Sequence, residues 1–293
     1  MNPGDAGRPP GTARRQATVL ESVEEIRAQI RGMAAVKEAV AAPVAMPVSG
    51  PATATGVDQD TAAYRPTLRP SMALLHVLDD GDDSGEVLRI RPNSFVIGRV
   101  EGDLIIPHDG GISGRHAEIS RRLENGEHCW YLKDLQSTNG TFVRASTIIL
   151  SHEQEFLIGG RRFRYEVPTV PEQPAAAEAG RNVTSKWESL AGPQAVSGLQ
   201  PSVVEVSPGR TGQRVPLREQ ENWIGRDRNQ CSIVVDDPMA DRRHARIYRD
   251  EKNRWIIANA RSRNGLWARI QEVNLGRGGF FQCGEQRFFF KVL

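Results

Sequence analysis

Apolar residues recur along this chain with two different periods, and the change of period divides it. Over 19–40, Val19, Val23, Ile26, Ile30 and Met33 step by 4, 3, 4 and 3. That spacing is one stripe of an amphipathic helix. Glu21, Glu24, Glu25, Arg27 and Arg31 take the other faces, with Glu24 and Arg27 at pairing distance. Gly32 weakens the helix and Lys37 interrupts the stripe, which leaves too few clean heptads for a coiled coil. Two readings of this helix stay open: docking on its own protein or fraying in solution, and association with a partner or a second copy.

From 72 to 168 the period drops to two. Candidate strands are Ala73–Leu78, Val87–Arg91, Phe95–Arg99, Leu104–Ile106, His116–Ser120, Trp130–Lys133, Thr141–Val143, Glu155–Ile158 and Arg162–Glu166. Asp-Asp-Gly, Asp-Gly-Gly, Glu-Asn-Gly and Asn-Gly separate them, and these are turn signals. Short strands at this density, with no helical period between them, predict an antiparallel β-sandwich. Residues 201–293 repeat the texture and end in an apolar strand, Gln286–Val292. The expected architecture is all-β: two antiparallel sandwiches in tandem, at 72–168 and 201–293. A polar basic tail (1–18), the helix (19–40) and a linker (41–71) precede them, and a second Ala- and Pro-rich linker (169–200) separates them.

Length and composition agree with this division. A chain of 293 residues suits two domains. The net charge of +2 gives no general field for nucleic acid, and Asp241, Asp250 and Glu251 dilute the arginines at 242, 243, 246 and 249. No apolar run approaches the roughly 20 residues of a membrane span. Met1 to Arg15 has no apolar core of a secretory signal. Cys129, Cys231 and Cys283 are odd in number and far apart, which suggests thiols in a reducing, cytoplasmic setting, the first two buried.

The candidate chemistry sits in three short elements: Ile97-Gly98-Arg99, Ser113-Gly114-Arg115-His116 and Ser137-Thr138-Asn139-Gly140. A guanidinium at a strand end offers a fixed fork of donors that matches phosphate oxygens. A loop hydroxyl donates to the same anion, and an Asn amide suits a peptide backbone. The frame recurs about 127 residues later as Ile224-Gly225-Arg226, Asp241-Arg242-Arg243-His244 and Ser262-Arg263-Asn264-Gly265.

In these motifs, and in Trp130 and Leu135, residues 72–168 resemble a forkhead-associated (FHA) domain. The resemblance implies a β-sandwich that binds phosphothreonine peptides at the loops of one end. It implies phosphate contacts from Arg99 and Ser113, support from Thr138, and an Asn139 that holds the peptide main chain. Arg115 is the neighbouring charge that joins this set, because Gly114 replaces a side chain that relatives use. Gly98, His116 and Gly140 would be architectural.

Residues 201–293 resemble the same family through Gly225-Arg226, His244-Ala245 and Asn264-Gly265, as a degenerate copy. Asp241 replaces the serine, and Arg263 replaces the threonine. A carboxylate there repels a dianion, so this copy is expected not to bind phosphothreonine, with Asp241 pairing with Arg226 or Arg263. The resulting reading is a signalling adaptor for threonine-phosphorylated proteins downstream of a Ser/Thr kinase. The rival is a phosphate-independent scaffold or oligomerisation protein. No nucleophile elbow, phosphate loop or metal spacing marks an enzyme, a metal or a cofactor. Thr18 and Thr67 are candidate phosphosites that could occupy the Arg99 site in cis.

Overall fold

The computed structural model describes residues 18–21, 72–78, 85–168, 200–207 and 210–293. The described residues contain strands and no helix. The first repeat supplies β2 (Ala73–Leu78), β3 (Gly85–Ile90), β4 (Ser94–Gly98), β5 (Leu104–Ile105), β6 (Ala117–Glu124), β7 (Glu127–Asp134), β8 (Thr141–Ile149), β9 (Glu155–Ile158) and β10 (Arg161–Glu166). The second supplies β11 (Ser202–Ser207), β12 (Arg210–Pro216), β13 (Glu221–Gly225), β14 (Ile233–Val234), β15 (Ala245–Arg249), β16 (Trp255–Asn259), β17 (Leu266–Ile270), β18 (Glu272–Asn274), β19 (Gly278–Cys283) and β20 (Gln286–Val292). A short strand, β1 (Thr18–Leu20), comes before both.

The alternation read from sequence has a direct structural basis. Along β4, Phe95 and Ile97 point into the core, and along β6 Ala117 and Ile119 do the same. Trp130, Leu132, Phe288 and Phe290 are fully buried between the layers, with Trp130 edge-on to Phe290.

The pairing of these strands crosses between repeats. One sandwich has a face ordered β5-β4-β6-β7-β18 and another ordered β3-β2-β20-β19-β8. Its last strands, β18 to β20, thus come from the second repeat. The other sandwich has faces β14-β13-β15-β16-β8 and β12-β11-β10-β9-β17. Its β8, β9 and β10 come from the first. The exchange is symmetric. Leu132 faces Val273 as Ile257 faces Ile148, and Val77 faces Phe288 as Glu205 faces Phe163.

β8 and β17 lie antiparallel at the centre of this arrangement, with Val143 opposite Ala268. They form a pseudo-two-fold ladder. The first half of β8 belongs to one sandwich and its second half, from Thr147, to the other.

The N-terminal expectation changes at its first residues. Thr18–Leu20 is extended and pairs with β8, where a helix from 19 was expected. Val19 is exposed, whereas Leu20 packs against the core. A strand of three residues has too few positions to show its own period. The rest of that helix, both linkers and Thr67 lie outside the described residues. All three cysteines are free thiols. Cys231 and Cys283 are buried, and Cys129 is only half-buried.

Candidate functional site

The site begins where β4 ends. Arg99 N donates to Ser113 O (2.9 Å), and Glu101 N donates to Gly114 O (3.0 Å), which zips the loop after β4 to the loop before β6. Gly98 permits the approach: a Cβ there would stand 2.3 Å from the carbonyl oxygens of Glu101 and Gly114. Arg99 is thereby held at the rim. Its Nε donates to Ile112 O (3.1 Å), and no other protein group among the described residues bonds the guanidinium.

Ser113 Oγ accepts from Thr138 N (3.0 Å) and lies 3.5 Å from Thr138 Oγ1. Asn139 Nδ2 donates to Gly111 O (2.9 Å). The loops carrying Arg99, Ser113, Thr138 and Asn139 therefore meet at one end of one sandwich. Arg115, on the same loop, reaches toward Glu101 (3.9 Å), and both side chains are mostly exposed. Such an exposed pair holds Arg115 only weakly.

His116 explains the rigidity of this rim. It is fully buried, Nδ1 accepts from Ser113 N (3.0 Å), and Nε2 faces Gly140 O (3.2 Å). That pattern assigns the neutral tautomer with hydrogen on Nε2. Burial lowers its pKa, partly opposed by the Gly140 hydrogen bond. One imidazole therefore ties the serine loop to the Asn139-Gly140 turn.

Three further sets of residues support the rim and were not singled out in the sequence. Asp134 accepts from Ser137 N and Oγ (3.0 and 2.5 Å) and from Thr141 Oγ1 (2.6 Å), which folds the turn. Asp109 accepts from Glu285 N (2.8 Å) and Gln286 N (3.2 Å), anchoring the serine loop to the β19–β20 hairpin of the second repeat. Arg162 donates to Asn139 O (2.7 Å), and buried Glu155 lies between Arg162 (3.8 Å) and Arg269 (2.8 Å). Burial lowers the pKa of Arg162, with Glu155 opposing. The only sequence signal for any of these was the repeat itself. Asp109 precedes Ser113 by four residues, as Asp237 precedes Asp241.

The second end is built the same way. Arg226 N donates to Asp241 O (3.0 Å), and Asn264 Nδ2 donates to Met239 O (2.7 Å). Buried His244 accepts from Asp241 N at Nδ1 (3.1 Å) and meets Gly265 O at Nε2 (2.9 Å). Asp237 accepts from Gly160 N (3.0 Å), so this end leans on the β9–β10 hairpin of the first repeat.

The difference is Asp241. Its Oδ2 accepts from the backbone N of Arg263 (2.8 Å), in the place of the Ser113 hydroxyl. It makes no ion pair with Arg226 or Arg263. The expected internal salt bridge is therefore corrected. The amide supplies the carboxylate's hydrogen bond, and both guanidiniums stay exposed. A recess of about 360 Å³ beside it is lined by Arg226, Asp227 and Arg242.

The FHA domain family model matches residues 95–159 and 222–278, which span both ends. Each repeat carries an FHA domain. Among solved structures, the chain is similar to full-length yeast Pml1p, at 28% identity over 24% of this chain and 56% of that one (TM-score 0.23). It is also similar to Mycobacterium tuberculosis EmbR in complex with a low-affinity phosphopeptide, at 24% identity over 33% of this chain and 24% of that one (TM-score 0.22). A third structure, from a study of phosphothreonine-dependent FHA domain interactions, is 28% identical over 30% of this chain and 90% of that one (TM-score 0.18). The match thus spans about half of Pml1p and a quarter of EmbR. No curated protein matches the chain. Among the described residues of the two FHA repeats, no helix is long and apolar enough to cross a membrane. No group of three or more His, Cys, Asp or Glu among them could hold a metal ion.

Proposed function

We propose that this protein is a phosphothreonine-dependent adaptor acting downstream of Ser/Thr kinases, with its first FHA domain as the reader. The observation that carries the reading is the Arg99 guanidinium, bonded among the described residues only through Nε to Ile112 O, on one braced rim with the Ser113 hydroxyl and the Asn139 amide. A phosphothreonine brings nearly two negative charges and three acceptor oxygens. Hydrogen bonds to such a group contribute roughly 1.5–3 kcal/mol each. Three or four of them, less the ordering of the peptide, support micromolar binding, about −8 kcal/mol. Because His116 and the zipped loops hold the donors in advance, little reorganisation opposes binding.

The second domain is proposed not to read phosphothreonine, because Asp241 offers a carboxylate where Ser113 offers a hydroxyl. It serves as a structural partner or a phosphate-independent protein surface. Occupation of the Arg99 site by the chain's own phosphorylated tail is disfavoured for Thr18, which is paired with Ile148 in β1.

The test is titration of the full chain with a phosphothreonine peptide library and its unphosphorylated twin. Micromolar, phosphate-dependent binding, lost on Arg99→Ala and weakened about tenfold on Ser113→Ala, supports the reading. Equal affinity for both peptides replaces it with the scaffold reading. A second equivalent of bound phosphopeptide, appearing only with Asp241→Ser, supports the assignment of the second domain.

A further inference from the structure

One edge of β8 carries a seat that neither FHA end uses. β19 covers this edge at residues 141–143. β1 covers the remainder, with Thr18 opposite Ile148, Val19 opposite Thr147 and Leu20 opposite Ala145, across a bulge. Ser146 Oγ donates to Val19 O (3.2 Å), and Glu21 N donates to Arg144 O (3.3 Å). The backbone of the guest strand is thus held through its whole length. Its side chains are sorted as well. Val19 is 58% exposed, whereas Leu20 packs on the core beside Gly279.

Glu21 closes the seat. It is 7% exposed, forms an ion pair with Arg144, and accepts from Asn259 Nδ2 (3.3 Å). The pseudo-two-fold shows what this carboxylate replaces. Arg269 is the counterpart of Arg144, and it pairs with Glu155 on its neighbouring strand. At the corresponding place near Arg144 stands Phe280, whose ring centroid lies 5.8 Å from the guanidinium carbon. The carboxylate facing Arg144 is therefore delivered by a segment outside both repeats. A buried charge pair is a demanding fit, and removing one partner is costly. The seat consequently selects for an acidic residue after the apolar one.

We propose that the Ala145–Ile148 edge of β8 is a peptide-binding site in its own right. It takes an extended apolar–acidic segment by strand addition, and its ligand is Thr18–Glu21 of this same chain. Main-chain pairing supplies affinity, and the pockets for Leu20 and Glu21 supply selectivity. Guest and host belong to one chain, so binding is intramolecular and favoured over that of a free peptide. Arg144 also lies under the second recognition end: a Cβ on Gly265 would stand 2.5 Å from its Nε. Asn259, which accepts from Ser262 N (3.1 Å), joins that turn to Glu21. The guest strand thereby braces the Asn264-Gly265 turn. This inference does not depend on phosphothreonine reading.

The test uses the full chain and a fluorescein-labelled peptide spanning residues 14–24. Hydrogen exchange on the wild type should show protected amides in both 18–21 and 145–148. Leu20→Asp with Glu21→Lys should lose the protection of 18–21 at least tenfold, while β2, β6, β20 and the β8 amides that face β16 and β17 keep theirs. The labelled peptide should bind this double variant and not the wild type, whose seat is filled in cis. A peptide carrying Glu21→Lys should fail on the same protein, and should bind when the host also carries Arg144→Glu. Unprotected amides at 18–21 in the wild type would overturn the proposal. So would a double variant that binds the wild-type and Glu21→Lys peptides equally, or neither.

Discussion

Placing a carboxylate at Ser113 should convert the first recognition end into a copy of the second. The fold itself shows that the change is tolerated. Asp241 occupies the equivalent position and accepts from Arg263 N at 2.8 Å, as Ser113 Oγ accepts from Thr138 N at 3.0 Å. Ser113→Asp should therefore keep the turn and the melting temperature. Binding should change sharply. Two unit charges about 4 Å apart repel by about 4 kcal/mol at an effective dielectric near 20. Ser113 is only half-buried, so solvent and salt reduce this. A net penalty of about 2 kcal/mol, plus the lost hydroxyl donor at roughly 1.5 kcal/mol, predicts a loss of a few hundredfold. Ser113→Ala should lose the donor to the phosphate, about tenfold, and leaves Thr138 N without its acceptor. The assay is fluorescence anisotropy with one phosphothreonine peptide at 50 and 500 mM salt. The Asp deficit should shrink at high salt, whereas the ratio of Ala variant to wild type should hold. Ser113→Asp binding within threefold of wild type, with an unchanged melt, would refute the electrostatic argument.

Three other outcomes follow from named contacts. Because β18 to β20 complete the first sandwich and β8 to β10 the second, proteolytic nicking within 169–199 should leave two fragments that co-elute on native size exclusion and part only in denaturant; fragments that separate without denaturant would contradict the exchange. His116 and His244 both have pKa values lowered by burial, so the unfolded chain binds more protons just below its ordinary histidine value of about 6.5. Stability should then be full above about pH 7 and fall as pH drops through 6.5. A melting temperature flat from pH 7.5 to 5.5 would count against it. Gly98→Ala forces a Cβ to 2.3 Å from two carbonyl oxygens, so it should lower the melting temperature and weaken phosphopeptide binding together, whereas Gly114→Ala, with open space around its Cβ position, should leave the melt unchanged.

The parts of the candidate site that could be read from sequence are those whose chemistry is local. Gly98-Arg99, Ser113 to His116 and Ser137 to Gly140 are contiguous, and each is marked by a turn residue or a charge at a strand end. Asp134 was not legible, because its role is to fold a turn already announced by Asn139-Gly140. Asp109 was not legible for a different reason. Its partners, Glu285 and Gln286, lie some 176 residues away and on the other repeat. The same holds for Arg162 and Arg269, whose positions under the Asn139 turn depend on which repeat supplies β10 and β17. The strand at Thr18–Leu20 was hidden by the helical spacing of the residues that follow it.

Strand exchange is the feature that local rules cannot see, since a closed and an exchanged pair satisfy nearly the same pairings. β10 meets β11 here, and in a closed repeat it would meet β2, which offers a similar alternating face. The choice falls on how the chain leaves the first half of β8. To close a sandwich on its own repeat, the chain must turn from one sheet to the other around Arg144-Ala145-Ser146, and again around Arg269-Ile270-Gln271. Sharp corners favour Gly, Pro, Asn and Asp, and Ser more weakly; of these the two stretches hold only Ser146. Running straight instead lets Ala145 and Ile148 stay buried and continues the ladder from β17 into β16. It also sets β8 against β17 with Val143 opposite Ala268, five residue pairs that two closed sandwiches would lack. Introducing Asn-Gly at Ala145-Ser146 supplies the missing turn chemistry. It should shift the balance toward closure, so that fragments nicked at 169–199 begin to separate under native conditions.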